Sequence, residues 1–509
     1  MKFNQSATEK AETVNHEGAK AYAMTPALEL YSAVATTMLS DISYESAFHR
    51  LARIRTLVRK VSPTFVAQLA LYAREQLYLR SAPVVLIGEL AKHHHGDSLI
   101  SRTVARVVQR PDEITELLAY YQLTNNRQET KKLGRLSKQL QKGLRIAFNK
   151  FDEYQFAKYN RAAQVKLRDA LFLVHPKAKD EAQQVIFDRI VTNTLQPPYT
   201  WENELSSLGK QPFADEAAKK TAFRNKWEEL VASGRLGYMA TLRNLRNMLD
   251  AEVSVATIQR VCDLLGDAAA VDRAKQLPFR FLAAYREIKS VKSGHVAMLN
   301  DALETALQLS VANLRGFTAE TRVVIACDVS GSMQVSVSAR SKVRLYDIGL
   351  LLGMLLQSKC KNVLCGLFGD TWKTVNLPGR NVLANVEELY RREGEVGYST
   401  NGYLVIDDLI NRNYIADKVM LFTDTQLWDS RTNNMSQDNT IEAKWAAYKQ
   451  LAPNASLYLF DLAGHKNVPL QVESNDVYLL AGWSDKVFDV LQALEDGESA
   501  LSKIEAISL

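Results

Sequence analysis

The sequence predicts a multidomain protein, with an all-α, HEAT-like helical-repeat region followed by an α/β doubly wound domain. Three observations carry this reading. The chain has 509 residues, well beyond the roughly 250 to 300 at which a single core stops growing. From Thr25 to about Arg315, helix start signals follow one another without a run of alternating β-branched residues. After Thr321, apolar β-branched runs alternate with helical stretches, the pattern of a mostly parallel sheet covered on both faces.

In the helical region, Thr25-Pro26 and Ser62-Pro63 each place a capping hydroxyl before a proline at the first helical position, where its missing N–H costs nothing. After Ser62, the residues Phe65, Val66, Leu69, Tyr72 and Ala73 recur at helical spacing and form one apolar stripe. Similar stretches begin at Pro83 and at Pro111, cross Gln183 to Leu195, and run from Leu236 to Leu249. Short helices in series predict stacked helix pairs that share a continuous core. No strand is expected before Thr321. The later runs are RVVIACD, VRLYDIGLLLGMLLQSK, NVLCGLF, DKVMLFTD and SLYLFDL. The expected divisions are a flexible N-terminus over 1–20, a helical-repeat domain over 21–318, and the α/β domain over 319–509.

Composition sets the class. With 47% hydrophobic and 24% charged residues, the chain reads as a globular protein without a membrane span, and its polar start lacks a signal-peptide region. A cytoplasmic location is expected. Cys262, Cys327, Cys360 and Cys365 make neither a disulfide framework nor paired zinc spacing and are expected to be buried thiols. Charge is uneven: residues 1–320 carry 45 Lys and Arg against 34 Asp and Glu, and the remainder carries 18 against 23. The basic half suits an anionic partner and the acidic half does not.

In a doubly wound sheet, ligands gather beyond the carboxyl ends of the strands. The first strand ends in Asp328-Val329-Ser330-Gly331-Ser332, a carboxylate and two hydroxyls at alternate positions. The loop Tyr398-Ser399-Thr400-Asn401-Gly402 supplies another hydroxyl, and a later strand ends in Thr423-Asp424. Asp328, Ser330, Ser332, Thr400 and Asp424 offer only oxygen, which favours a hard divalent cation such as Mg²⁺. Taken singly, these residues would be helix caps and turn formers. In this order within one α/β domain, they resemble the metal-ion-dependent adhesion site (MIDAS) of von Willebrand factor type A domains. His93-His94-His95 is discounted as a metal tract because consecutive helix positions diverge. No phosphate-binding loop, nucleophile elbow or zinc-protease helix is present, so no enzymatic activity is expected.

Three segments decide which kind of type A protein this is: Lys158–Asp180 (KYNRAAQVKLRDALFLVHPKAKD), Gly234–Leu249 (GRLGYMATLRNLRNML) and Leu277–Ser290 (LPFRFLAAYREIKS). Together they resemble the TROVE module of Ro autoantigen ribonucleoproteins, from about Tyr22 onward. The resemblance implies a monomeric ring of helical repeats that takes in single-stranded 3′ ends of misfolded RNA and binds a small Y-like RNA outside. It also implies an exoribonuclease or another protein as a partner of the type A domain. Lys158, Arg161, Arg168 and His175 match as candidate RNA contacts. The same region is the densest basic stretch, with 13 Lys and Arg against three acids between Lys131 and Lys179. Its interleaved Phe148, Phe151, Tyr154, Phe156 and Tyr159 sit at helical spacing and are expected to be mainly core. The alternative function is a metal-dependent, adhesion-type protein-interaction module without RNA.

Overall fold

The computed structural model describes residues 12–37, 45–124, 136–160, 163–310, 320–337, 341–378, 380–427, 439–472, 475–483, 486–496, 498–499 and 501–509. The chain forms two compact units that do not follow it linearly. One gathers Met1–Lys60, Leu277–Phe279 and Val311–Ala506; the other gathers Val61–Gln276, Arg280–Ser310 and Ile507–Leu509. A single boundary near residue 318 therefore does not describe them.

The first unit begins with a hairpin of β1 (Glu12–Val14) and β2 (Lys20–Ala23), then the helices Pro26–Ala35 and Ala47–Val58. The expectation of no strand before Thr321 fails here. Strands of three and four residues are too short to show a period of two. Further strands are β3 (Arg322–Asp328), β4 (Asn362–Phe368), β5 (Trp372–Thr374), β6 (Lys418–Thr423), β7 (Ser456–Asp461), β8 (Asn467–Val468) and β9 (Val477–Ala481). Six of them form a sheet in the order β5-β4-β3-β6-β7-β9, parallel except for the antiparallel β5 at one edge. This is the expected doubly wound α/β fold. The run VRLYDIGLLLGMLLQSK is mostly the helix Leu345–Lys359, packed against β3, β4 and β6 and buried from Leu345 through Leu356. A helix buried all round carries an apolar run much like that of a central strand, and only its length distinguishes it.

The N-terminal segment packs into this α/β unit. β2 pairs with β8, and Tyr31 Oη donates to Ala481 O at the end of β9, at 2.8 Å. Arg50, 1% exposed, donates from Nε to Glu45 Oε2 at 2.8 Å and from its guanidinium to Ala463 O. Arg53 brings Glu45 and Glu29 into the same network.

The second unit contains helices and no strand among its described residues. The expected caps form: Ser62 Oγ accepts from Phe65 N at 3.2 Å at the start of Pro63–Glu75. In the first unit, Thr25 Oγ1 accepts in the same way from Leu28 N at 3.4 Å. Neighbouring helices pack in series, Pro63–Glu75 on Ser81–His93, Ser81–His93 on Pro111–Leu123, and Val255–Gly266 on Val296–Ser310, which is the HEAT-like arrangement. No described helix is long and apolar enough to cross a membrane. Cys262, Cys327 and Cys365 are buried free thiols, and Cys360 is half-buried.

Candidate functional site

The oxygen donors meet at the carboxyl edge of the sheet, where the chain leaves β3 for β4 on one side and later places β6 on the other. β3 and β6 run parallel with Cys327 opposite Phe422, so Asp328 and Thr423 end adjacent strands at one level. Asp328 is 1% exposed. Its Oδ2 accepts from Thr423 Oγ1 at 2.7 Å, and its Oδ1 accepts from Ser330 N at 2.9 Å. The Ser330 and Ser332 hydroxyls lie 3.2 Å apart. Asp424 is fully buried, and its Oδ1 accepts from Gln426 N at 3.0 Å.

The Tyr398–Gly402 loop is pinned in place by backbone bonds. Gly331 N donates to Tyr398 O at 3.1 Å, and Asn401 N donates to Gly369 O at 3.2 Å. Ser399 N donates to Asp370 Oδ1 at 2.9 Å, and hydrogen bonds from Ser399 hold the Asp370 carboxyl below its usual range. Gly397 has φ +74°, and a Cβ there would lie 2.1 Å from the Asp370 carboxylate, so only glycine fits. The result is a cleft of ≈ 420 Å³ lined by Ser330, Gly331, Ser332, Tyr398, Ser399, Thr400 and Glu17.

Burial pushes both carboxyls above the usual carboxylate range. For Asp328, hydrogen bonds from Ser330 and Thr423 oppose the shift; for Asp424, the charge of Asp328 adds to it and the Ser332 hydroxyl opposes it. Two buried carboxyls that repel one another, with Asp424 Oδ2 buried and lacking a hydrogen-bond partner among the described residues, are costly unless a cation joins them. The five predicted donors thus fit a hard divalent ion. No group of three or more His, Cys, Asp or Glu side chains that could hold a metal occurs among the described residues, so the three hydroxyls are integral to this donor set.

The candidate RNA contacts lie in the helical unit. Lys158 is exposed on the helix Glu153–Tyr159, with Nζ 5.7 Å from the centres of the Tyr154 and Tyr159 rings. Arg168 is exposed on Leu167–Val174, 5.8 Å from the ring of Phe172, itself 49% exposed. Both helices pack on Pro111–Leu123. His175 is the exposed C-cap of the second helix, in the left-handed region at φ +49°. Arg161, with Lys131, Lys132 and Arg135, lies outside the described residues. Phe148, Phe151 and Phe156 are core, whereas Tyr154 is exposed and Tyr159 half-buried beneath the Arg110 guanidinium at 4.1 Å.

Not every base in this stretch is available to a ligand. Arg145 Nε donates to Val174 O at 2.8 Å, and Lys150 Nζ donates to Ala105 O at 2.8 Å and to Val108 O. Both cap the carbonyl ends of helices. Lys138, Lys142, Lys158, Arg168, Lys177 and Lys179 are exposed and form no ion pair among the described residues. Sequence reasoning also missed that Glu17, Gln426 and Asn467 belong to the surroundings of this candidate donor set. The only local signal was the turn-forming Asn15-His16-Glu17-Gly18, which says nothing about a strand end some 400 residues away.

The TROVE domain matches residues 8–222 and 193–316. Telomerase protein component 1 of Rattus norvegicus is 23% identical over 348 residues, 52% of this chain and 13% of that protein. The Mus musculus counterpart is 23% identical over 321 residues, 48% of this chain and 12% of that protein. This chain thus spans only about an eighth of those relatives. The crystal structure of the Deinococcus radiodurans RO (RSR) protein shares the fold, with a TM-score of 0.59 at 19% identity, covering 93% of this chain and 100% of that one. With a TROVE match over more than half its length and a shared fold over nearly all of it, the chain belongs to the TROVE domain family.

Proposed function

We propose that this protein is the scaffold of a ribonucleoprotein that binds a small Y-like RNA and the single-stranded 3′ ends of misfolded RNA, in RNA quality control or processing. Belonging to the TROVE domain family makes it an RNA-binding ribonucleoprotein component. The observation that carries the finer reading is the set of exposed cations Lys138, Lys142, Lys158, Arg168, Lys177 and Lys179, which form no ion pair among the described residues. Unpaired surface cations displace counterions from a phosphate backbone, whereas cations already neutralised by carboxylates release few. Exposed Tyr154 and Phe172 beside Lys158 and Arg168 offer faces on which unpaired bases stack.

The α/β unit has a separate task in this reading. Asp328, Ser330, Ser332, Thr400 and Asp424 hold a divalent cation, Mg²⁺ by donor type. When bound, the ion supplies a positive centre that accepts a carboxylate from a protein partner such as an exoribonuclease. Asp328 and Asp424 balance its charge, and the hydroxyls orient the site. The scaffold works in the cytoplasm as a monomeric ring and leaves the chemistry to its partner.

The test is the full-length protein purified without nuclease, its absorbance ratio measured, and RNA crosslinked in cells sequenced. Enrichment of one small structured RNA together with tailed, misfolded transcripts is expected. Protein that purifies free of nucleic acid and crosslinks to none would leave the adhesion-type protein-interaction module as the better account.

A further inference from the structure

Six residues, His175–Asp180, join the helices Leu167–Val174 and Glu181–Thr192. Exposed His175, Lys177 and Lys179 alternate along them. Connecting segments are as a rule more mobile than the elements they join. This one is stitched to a third helix, Lys138–Phe148, and to its C-cap Asn149. Gln141 Nε2 donates to Leu173 O at 3.1 Å, and Arg145 Nε donates to Val174 O at 2.8 Å. Asn149 Nδ2 donates to Lys177 O at 2.9 Å, while its Oδ1 accepts from Lys179 N at 2.9 Å. Gln141, Arg145 and Asn149 follow one another at four-residue intervals and so share one face of the helix. Their bonds form a ladder along the crossing chain, and the Asn149 amide serves its last two residues as a strand partner would. Beyond the segment, buried Gln183 donates to Phe148 O at 3.3 Å and to Phe151 O at 3.2 Å. At its start, His175 is held at φ +49°, a conformation unfavourable for any residue with a Cβ. Asp180, the one carboxylate in the connection, accepts from Gln183 N at 2.7 Å as the cap of the next helix. Lys177 and Lys179 form no ion pair among the described residues.

We infer that Lys177 and Lys179 are a preformed phosphate clamp for RNA and that Asn149 is the residue that positions it. This rests on the reading that the helical unit binds RNA. Backbone held in an unfavourable conformation, bonded along its length and displaying unpaired cations, has the pattern of a binding loop rather than of a passive link. The gain is entropic. A ligand that must order a mobile loop gives up part of its binding free energy for each residue it fixes, whereas a loop already bonded to its neighbour loses little. Both polar atoms of the Asn149 side chain are engaged by the segment, so Asn149 acts through the lysines and not on the phosphates.

The test uses full-length protein and a small RNA with a single-stranded 3′ tail, with affinity from fluorescence anisotropy over a range of salt concentrations. Lys177→Ala together with Lys179→Ala removes two charges and should flatten the log–log salt slope by about 1.4. Asn149→Ala removes none. It should weaken binding about 10-fold at every salt concentration, the cost of ordering roughly one residue, and keep the wild-type slope. Added to the two lysine substitutions, Asn149→Ala should cost less than about 2-fold more, because residues that act as one unit are not additive. An undiminished 10-fold loss in that background, or wild-type affinity in Asn149→Ala alone, would overturn the positioning role. Should Asn149→Ala fail to fold, Gln141→Ala breaks the first rung of the ladder without changing charge and carries the same expectations. An unchanged slope in the lysine double variant, where Lys158→Ala with Arg168→Ala does flatten it, would overturn the clamp and leave RNA binding by the helical unit standing. Unchanged slopes in both double variants would overturn the wider reading too.

Discussion

Replacing Lys158 and Arg168 together by Ala tests whether RNA is held by the helical unit at these positions. Both side chains are exposed, and neither has a carboxylate partner among the described residues, so each brings a full charge to a phosphate. Single-stranded RNA returns about 0.7 in log–log salt slope per neutralised phosphate. Two lost contacts should therefore flatten the slope by about 1.4. Between 50 and 200 mM salt, wild type should lose about 7-fold more affinity than the double variant. The assay is fluorescence anisotropy on a small RNA with a single-stranded 3′ tail, repeated at five salt concentrations. Lys359, Lys361 and Arg391 of the α/β unit, exposed bases in the acidic half, form the control triple and should leave the slope unchanged. Equal flattening by both sets would mean diffuse attraction, and an unchanged slope in the double variant would remove Lys158 and Arg168 from the interface.

Three other outcomes are expected. Mg²⁺ at 100 times its dissociation constant should stabilise the wild-type protein by about 2.7 kcal/mol, and Asp328→Ala should abolish this in denaturant titrations; identical Mg²⁺ responses would exclude Asp328 as a ligand. Glu45→Gln should cost about 3 to 5 kcal/mol, because it strands the buried Arg50 charge; a loss below about 1 kcal/mol by urea titration would show that the network is ornamental. Although burial opposes it, hydrogen bonds and charge from Arg53 and Arg50 hold Glu45 at about 2. Its contribution should therefore be complete above the ordinary value of 4.5 and should fade as pH falls from there toward about 2. A fragment from Val61 to Ser310 should be helical by circular dichroism with no parallel-sheet component, and sheet signal in it would contradict the division into units.

The legible parts of this protein are those whose signals are local. Asp328, Ser330 and Ser332 stand within five residues at a strand end, and their chemistry is apparent before any fold is known. Thr400 and Asp424 follow once the α/β alternation says which ends of the runs share an edge. Helix starts at Pro26 and Pro63 are equally local. Illegible were the features set by tertiary pairing. β1 and β2 are short, and β2 takes its outer partner, β8, from more than 400 residues away. Arg145 and Lys150 look like their basic neighbours in sequence, and only the nearby helix ends turn them into caps. The helix Leu345–Lys359 was blurred among strand-like runs because burial on all sides erases amphipathic periodicity.

The interleaving of the two units sets an order of synthesis. Tyr31 waits for Ala481, 450 residues later, an interval of roughly 20 to 90 s at ordinary elongation rates. Throughout that time Leu30, Tyr31 and Val34, fully buried in the finished protein, have no sheet to cover them. The residues of the helical unit are nearly contiguous and can pack while the ribosome is still making β3. The N-terminal hairpin and its helices are thus a latch thrown last, and slow elongation lengthens the period in which their apolar face needs a chaperone.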